Sequence, residues 1–261
     1  MKIHRLESIA STNKYCESLH LDQVEDFTCF WAIEQTDGIG QQGNYWHSEG
    51  GKNLTFSLVL HPCFLPAARQ FMLTQTLSLA IVDFLLSLNI DSPIHIKWPN
   101  DIYVDQKKIC GILTSAHICN GTIGSAICGI GLNINQTAFP SWIPNPTSLS
   151  LLKYPMDIEV ALNKLLSCIN IRYTQLQQGW QPQTDYLAHL MQLNTPSQYL
   201  YKGQLIEASI TGVDEYGHLL LSTPDNRNLC CQMKEISFLL DITSKCTHQI
   251  NHKDNTPNPI L

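Results

Sequence analysis

Residues 94–133 read IHIKWPNDIYVDQKKICGILTSAHICNGTIGSAICGIGLN, and this stretch decides the fold. Apolar runs lie at 94–96, 102–104, 108–118 and 122–133, and short breaks of turn-forming residues separate them. Apolar runs divided in this way predict β-strands joined by tight turns. We therefore expect successive hairpins that build an antiparallel or mixed sheet.

The segments on either side of this stretch predict further elements around the sheet. Residues 54–60 alternate in side-chain type with the period of a strand that has one face on the core. Pro66 suits the first turn of a helix that packs across the sheet. Ser11 and Asp157 are residue types that accept hydrogen bonds from first-turn amides, which predicts a short and a long helix after them. The fold class expected over residues 1–194 is α+β, with a helix-covered mixed or antiparallel sheet.

The pattern changes towards the C-terminus. Short strands are predicted at 204–213, 218–222 and 229–238, and they suit a small antiparallel barrel over residues 195–244. The alternative is one continuous domain, because periodicity places boundaries only to within a few residues. Residues 245–261 are polar, aperiodic and proline-bearing, which predicts a flexible tail.

Composition excludes several classes of protein. The 261 residues are 44% hydrophobic, with a formal net charge of -6 and no basic cluster, so no nucleic-acid partner is expected. The apolar runs are too short to span a membrane, and the N-terminus lacks the apolar core of a signal peptide. Ten cysteines are scattered without a Cys-x-x-Cys pair, so we expect reduced thiols and no structural metal. A cytoplasmic protein without membrane contact agrees with these observations.

Residues 38–43 read GIGQQG and match the Gly-x-Gly-x-x-Gly pattern of dinucleotide-binding loops. The context of the match differs, because residues 44–51 are turn-like and lead into a strand, whereas a dinucleotide-binding loop opens a helix. The acidic residue that contacts the ribose about 20 positions later is also missing. We interpret 38–43 as a mobile loop whose amides wrap a carboxylate or phosphate, and an ordinary surface loop is the alternative.

Charged side chains within the hairpin region predict an anionic ligand. Lys97 lies among apolar strand residues, where an anion must offset the desolvation of its ammonium. Asn100 and Asp101 follow, and a carboxylate combined with phosphate oxygens is a donor set that Mg²⁺ prefers. Lys108 begins the next apolar run, so two lysines are expected to converge on one site. An exposed lysine beside a β-turn is the alternative interpretation.

The chain carries a series of short motifs in a fixed order. They are Ser11-Thr12-Asn13, Glu34-Gln35-Thr36, Trp46-x-Ser48, Gly51-Lys52-Asn53-Leu54, Lys97-Trp98-Pro99-Asn100-Asp101, Lys108-x-x-Gly111-Ile112-Leu113 and Gly129-Ile130-Gly131-Leu132-Asn133. Over most of its length the chain resembles the biotin protein ligases, also called biotin–[acetyl-CoA-carboxylase] ligases, which have these motifs in this order. The resemblance implies that the C-terminal barrel is an SH3-like domain. It also implies the ligase-only form without an N-terminal DNA-binding domain, because the first motif begins close to Met1.

The resemblance implies a two-step reaction whose substrates are biotin and ATP with Mg²⁺. Biotin attacks the α-phosphate to give biotinyl-5′-AMP and pyrophosphate. The acyl group then passes to a lysine of a biotin carboxyl carrier protein, the carrier of acetyl-CoA carboxylase or of a related biotin-dependent carboxylase. A homodimer is compatible with the resemblance.

The resemblance also implies roles for individual residues. Lys97 and Lys108 are the implied catalytic residues, because they would face the phosphates and the developing charge. The implied biotin-binding residues are Ser11, Thr12, Asn13, Gln35, Gly38, Ile39, Gly40, Gln41, Lys108, Gly111, Gly129 and Gly131. The implied ATP-binding residues are Trp46, Asn53, Lys97, Asn100 and Asn133, with Asp101 as the implied Mg²⁺ ligand.

One position departs from the family pattern. The family loop reads Gly-Arg-Gly, and Ile39 stands where the arginine is expected, with Gln41 and Gln42 following. Loss of one charge-assisted hydrogen bond costs about 1.5–3 kcal/mol, or roughly ten- to a hundredfold in affinity or rate, so low activity is expected. Lys52 is a candidate to compensate. Two alternatives stay open: a lipoate or octanoate ligase of the related fold, and a non-catalytic relative that binds biotin or a nucleotide.

Overall fold

The computed structural model describes residues 2–241. Its strands are β1 (Lys2–Ile9), β2 (Thr28–Gln35), β3 (Leu54–Leu60), β4 (Ile94–Lys97), β5 (Asp101–Val104), β6 (Lys107–Cys119), β7 (Thr122–Leu132), β8 (Ser197–Tyr201), β9 (Gln204–Val213), β10 (Leu219–Ser222), β11 (Asn228–Cys231) and β12 (Ile236–Phe238). Its α-helices are α1 (Thr12–Glu17), α2 (Phe71–Leu86), α3 (Ile158–Gln177) and α4 (Gln183–Ala188). The tail predicted for 245–261 lies outside the described residues.

Strands β1 to β7 form one mixed sheet in the order β1-β2-β3-β7-β6-β5-β4. The β1–β2 pair is parallel, and the other pairs are antiparallel. The hairpins predicted over 94–133 are confirmed as β4 to β7, because the breaks in the sequence pattern coincide with the turns between these strands. This sheet is not doubly wound, which excludes a dinucleotide-binding unit at 38–43.

Helices α2 and α3 cover one face of the sheet. Helix α2 lies against β4, β5 and β6, and α3 packs on α2 and on β3. Helix α3 begins after Asp157 as predicted, because the Val160 amide donates to Asp157 Oδ1 at 2.9 Å. No helix within residues 2–241 combines the length and the apolar character needed to span a membrane.

Helix α1 covers the opposite face, and the prediction that strand 54–60 has one exposed face is therefore wrong. Every residue of β3 is buried. Val59 packs with Cys16 of α1 in a small apolar cluster, and Ser57 Oγ donates to Thr12 Oγ1 at 2.7 Å. The polar side chains of β3 thus face α1 rather than solvent.

The helix predicted to start at Pro66 begins later, at Phe71. Pro66 forms an isolated bridge with Thr122, and the Ala67 amide donates to Gly121 O at 2.9 Å. These contacts hold the segment against the β6–β7 turn, so a 3₁₀ turn precedes the helix.

Strands β8 to β12 form a second, antiparallel sheet in the order β11-β10-β9-β8-β12. The antiparallel C-terminal sheet is confirmed, but the single strand predicted over 229–238 is wrong. A turn divides it, because the Gln232 amide donates to Glu235 Oε2 and the Glu235 amide donates to Gln232 O, both at 3.0 Å. The two halves consequently pair at opposite edges of the sheet, as β11 and β12.

The second sheet lies against the β4–β5 turn of the first sheet. Trp98 Nε1 donates to Gly217 O at 3.0 Å, and a side chain at Gly217 would overlap the Phe71 ring. These contacts bring Phe238 of β12 close to Lys97 of β4.

Candidate active site

Most of the residues implied by the sequence line one cavity of about 310 Å³. The cavity lies between α1, the 38–43 loop, the β4–β5 turn and β12. Its lining includes, from the implied set, Ser11, Thr12, Asn13, Gln35, Ile39, Gly40, Gln41, Trp46, Lys97, Asn100, Asp101, Lys108, Gly111, Gly129 and Gly131. We call it the first cavity.

Three glycines, of which two pair with each other across the sheet, form its floor. Gly131 lies opposite Gly111 in the β6–β7 ladder, and Gly129 lies two residues before Gly131 on the same face of β7. A methyl group at Gly131 would overlap the indole of Trp46, and one at Gly129 would overlap the side chain of Asn13. The glycines are therefore needed because these two larger side chains lie directly on the backbone of the sheet.

A compact polar network forms one end of the first cavity. Gln35 Oε1 accepts hydrogen bonds from Thr12 N at 2.7 Å and from Thr12 Oγ1 at 3.0 Å. Ser57 Oγ lies at 2.7 Å from Thr12 Oγ1 and at 2.5 Å from Asn13 Oδ1. Ser11 takes the N-cap position of α1 without making a side-chain cap, so its hydroxyl is available to a ligand. Because Gln35 uses its carbonyl oxygen within the network, its amide nitrogen is left to donate.

Charged side chains form the other end. Lys108 Nζ lies 2.7 Å from Asp101 Oδ2, and 5.6 Å from the centroid of the Trp46 ring. The Lys108 amide donates to Asn145 O at 2.7 Å, which ties the strand to the loop at 139–146. Lys97 is 9% exposed and also lines this end. Both lysines thus face the same space, as the sequence predicted for an anionic site.

A second cavity of about 420 Å³ adjoins the first. Its lining is mainly aromatic and apolar, and comprises Asn44, Tyr45, Trp46, His47, Lys97, Asp101, Tyr103, Lys108, Asn133, Phe139, Trp142, Ile143, Pro144 and Pro146. Within residues 2–241, Trp46 Nε1 and Asn133 Oδ1 are buried without a hydrogen-bond partner, whereas Asn133 Nδ2 donates to Thr147 O at 2.9 Å. A donor and an acceptor are thereby held ready in a cavity suited to a flat ring.

Lys97, Asp101 and Lys108 line both cavities. The two spaces therefore meet at two ammonium groups and one carboxylate. A ligand in each cavity would bring its reacting group to this junction. Water is partly excluded there, and its partial exclusion strengthens electrostatic interactions.

Two implied site residues lie outside both cavities. Asn53 Nδ2 donates to Gln136 Oε1 at 2.6 Å and Asn53 Oδ1 accepts from Ile134 N at 3.0 Å, so its amide joins β3 to the segment after β7. Gly38 forms the base of the loop, where its carbonyl accepts from Trp46 N at 2.8 Å. Lys52 is exposed and lines neither cavity.

The 38–43 loop is closed by its own backbone bonds. Gly40 N donates to Asn44 O at 2.7 Å, and Ile39 bridges to Tyr45. The Gly40 amide is thus occupied within the loop, and Ile39 presents an apolar side chain to the first cavity. Gln41 Nε2 lies 3.9 Å from Met233 Sδ, which connects the loop to the second sheet.

Sequence reasoning missed the residues that the second sheet contributes. Met233, Ile236, Ser237 and Phe238 line the first cavity. They carry no motif, and their approach to β4 depends on the packing of the two sheets. Trp142 lies in the loop at 139–146 and lines the second cavity.

Buried cysteines do not supply a nucleophile near this site. Burial raises the pKa of the Cys16 thiol to about 12. Burial likewise raises the pKa of Cys110, which lies beside the floor of the first cavity. Both thiols are protonated at neutral pH, so they act as small apolar core residues.

Comparison with known proteins assigns this chain to a protein family. Residues 6–133 match the model of the biotin/lipoate A/B protein ligase family. The bifunctional ligase/repressor BirA of Bacillus spizizenii is 30% identical over 230 residues, which cover 83% of this chain and 68% of that protein. The chain belongs to the biotin/lipoate A/B protein ligase family. A biotin–[acetyl-CoA-carboxylase] ligase of Paracoccus denitrificans is 27% identical over 208 residues, covering 76% of this chain and 85% of that protein.

The solved structures of this family confirm the fold. A biotin protein ligase from Aquifex aeolicus in complex with biotin and ATP superposes with a TM-score of 0.74 at 24% identity, covering 90% of this chain and 97% of that chain. The predicted α+β class, with a helix-covered mixed sheet and a smaller antiparallel C-terminal sheet, is therefore correct.

Proposed function

We propose that this protein attaches biotin to a lysine of a biotin carboxyl carrier protein through a biotinyl-5′-AMP intermediate. The observation that carries the proposal is the meeting of the two cavities at Lys97, Asp101 and Lys108. One cavity has a polar end suited to a small heterocycle, and the other has aromatic walls suited to a nucleobase. The reacting carboxylate and α-phosphate then meet at the junction.

The polar end of the first cavity favours biotin over a lipoyl or octanoyl group. The ureido ring of biotin carries two N–H donors and one carbonyl acceptor, and it is matched by the Ser11, Asn13 and Gln35 side chains. A flexible acyl chain would leave the Ser11 hydroxyl and the Gln35 amide nitrogen without ligand partners, at a cost of about 1–3 kcal/mol each. We therefore assign biotin to this cavity.

The second cavity accepts the adenosine part of ATP. Trp46 and the other aromatic walls offer faces on which adenine stacks. Asn133 Oδ1 has no hydrogen-bond partner among the described residues and can accept from the exocyclic amine of the base.

In the first step, a carboxylate oxygen of biotin attacks the α-phosphorus of ATP. The new oxygen–phosphorus bond forms while the bond to the β-phosphate breaks, and pyrophosphate leaves with the electron pair. Lys97 and Lys108 stabilise the charge on the phosphoryl oxygens. Asp101 orients Lys108 through the 2.7 Å ion pair, which keeps the ammonium at the junction.

Magnesium enters with ATP as the substrate complex. Asp101 is the one carboxylate lining either cavity among the described residues, and Mg²⁺ commonly combines one or two carboxylates with phosphate oxygens. We assign the protein contact of the ion to Asp101.

In the second step, the ε-amine of the carrier lysine attacks the carbonyl carbon of biotinyl-5′-AMP. An amide bond forms, the acyl–phosphate bond breaks, and AMP leaves while the amine proton passes to water. Loss of an arginine at position 39 does not remove the groups that perform either step, because both lysines remain at the junction.

The test measures pyrophosphate release from ATP with biotin, lipoate or octanoate as the acid. We expect release with biotin alone, followed by labelling of a carrier protein and not of its lysine-to-arginine variant. Release with lipoate or octanoate instead would favour the alternative ligase. Biotin binding without any release would indicate a non-catalytic relative and refute the proposal.

A further inference from the structure

The second sheet contributes an aromatic wall to the charged end of the first cavity. Phe238 is 3% exposed and lines this cavity, and its ring centroid lies 5.2 Å from Lys97 Nζ. The ring centroid of Tyr103 lies 5.7 Å from the same ammonium. Lys97 Nζ is therefore in contact range of two aromatic faces, one from each sheet.

These aromatic contacts are made away from bulk water. Lys97 is 9% exposed and Tyr103 is 1% exposed. Attraction between an ammonium and a ring face increases when both are desolvated. A buried ring thus limits where the flexible lysine side chain can place its charge.

The position of the Phe238 ring is fixed by the second sheet itself. Phe238 pairs with Tyr199 across the β8–β12 ladder, and the two rings meet edge to face at 5.3 Å with an interplanar angle of 87°. The same sheet is joined to the residue after Lys97 by the hydrogen bond from Trp98 Nε1 to Gly217 O. The sheet thereby contacts both the lysine and its backbone neighbour.

We propose that Phe238 is a positioning residue that holds the Lys97 ammonium at the junction of the two cavities. The proposal rests on the proposed function for the identity of the nucleotide. It makes the second sheet part of the phosphate-binding site, because the ring that orients a catalytic lysine comes from β12. Its failure leaves the ligase function intact, since Lys97 and Lys108 would still face the phosphates.

The experiment compares Phe238→Leu with Phe238→Tyr and with a series of phenylalanines at position 238 that carry one, two or three ring fluorines. Affinity for a non-hydrolysable ATP analogue and kcat/KM for ATP in pyrophosphate release are both measured. Leucine keeps apolar bulk without a ring face, so we expect a loss of about tenfold in both quantities. Phe238→Tyr keeps a ring face and should therefore retain most of the wild-type nucleotide affinity. Each added fluorine should weaken nucleotide binding further, because fluorine withdraws electron density from the ring face.

Matched measurements separate this role from a structural one. Leu221→Met changes another buried residue of the second sheet that lines neither cavity, so nucleotide affinity should stay within twofold of wild type. Biotin affinity without ATP and the melting temperature should be unchanged in the fluorinated series. Equal nucleotide affinity across the fluorinated series, or a loss in Leu221→Met as large as that in Phe238→Leu, would overturn the positioning role. Normal analogue binding without pyrophosphate release in the wild type would instead refute the proposed function.

Discussion

Replacing Lys108 by alanine removes one of the two cations that line both cavities and leaves Asp101 without its ion-pair partner at the proposed phosphate site. The ion pair spans 2.7 Å, and the two side chains are 29% and 21% exposed. One preorganised donor facing developing charge contributes about 10²–10³ in rate. The unpaired carboxylate then repels the phosphates, so we expect biotinyl-AMP formation to fall by about 10³ or more.

The stability of the variant should change little. The pair is partly exposed, and such pairs contribute about 0–1 kcal/mol to the free energy of unfolding. Single-turnover formation of biotinyl-AMP and urea unfolding would be measured on the same preparations. Lys107→Ala is the control, because this neighbouring lysine is exposed and lines neither cavity.

A double variant tests the electrostatic reasoning directly. Adding Asp101→Asn to Lys108→Ala removes the unpaired charge together with the proposed Mg²⁺ contact. Recovery of part of the lost rate would show that Asp101 chiefly orients Lys108, whereas a further loss would show that it chiefly holds Mg²⁺. Near-normal adenylation by folded Lys108→Ala would show that Lys108 is an ordinary strand lysine, and the assignment of the junction would then be wrong.

Three further outcomes are expected. Ile39→Arg should slow dissociation of biotinyl-AMP by roughly ten- to a hundredfold, the value of a charge-assisted hydrogen bond. The variant should also label fewer lysines outside the carrier. An unchanged or faster dissociation rate would show that the missing arginine contact does not limit retention of the intermediate. Gly131→Ala should displace the Trp46 indole and weaken binding of an ATP analogue about tenfold, because the added methyl group overlaps that ring. Biotin affinity measured by calorimetry should not change. Normal nucleotide binding would contradict a role for the Trp46 indole in nucleotide binding. Arg172 donates to both carboxylate oxygens of Asp83, at 2.6 and 2.9 Å. Arg172→Met should therefore lower the free energy of unfolding by about 2–3 kcal/mol in urea titrations. A loss under about 0.5 kcal/mol would show that this pair does not stabilise the fold.

Local features of the sequence determined much of the first sheet. The breaks inside 94–133 predicted the hairpins because turn formation depends on a few adjacent residues. Asp157 predicted the start of α3 for the same reason, since an N-cap contacts amides within its own first turn. The division at residues 194 and 195 and the homodimer stay predictions.

The motifs identified the candidate residues of the site, and the register of the sheet determines which of them contact one another. Gly131 faces Gly111 across the ladder, and this pairing makes room for the Trp46 indole. The sequence does not predict which two residues pair across the strands, because cross-strand contacts depend on the length and register of whole strands. The motif likewise implied an ATP contact for Asn53, whereas packing after β7 engaged its amide in the core.

The sequence by itself determined the strands of the central hairpins, the order of the motifs and the apolar residue in place of the loop arginine. Only the tertiary structure decided that β3 is buried on both faces, that two cavities meet at Lys97 and Lys108, and that Phe238 reaches the site. The physical reason is the range of the interactions. Periodicity and capping act within one element, whereas burial of a second face and the lining of a cavity depend on which distant elements pack there.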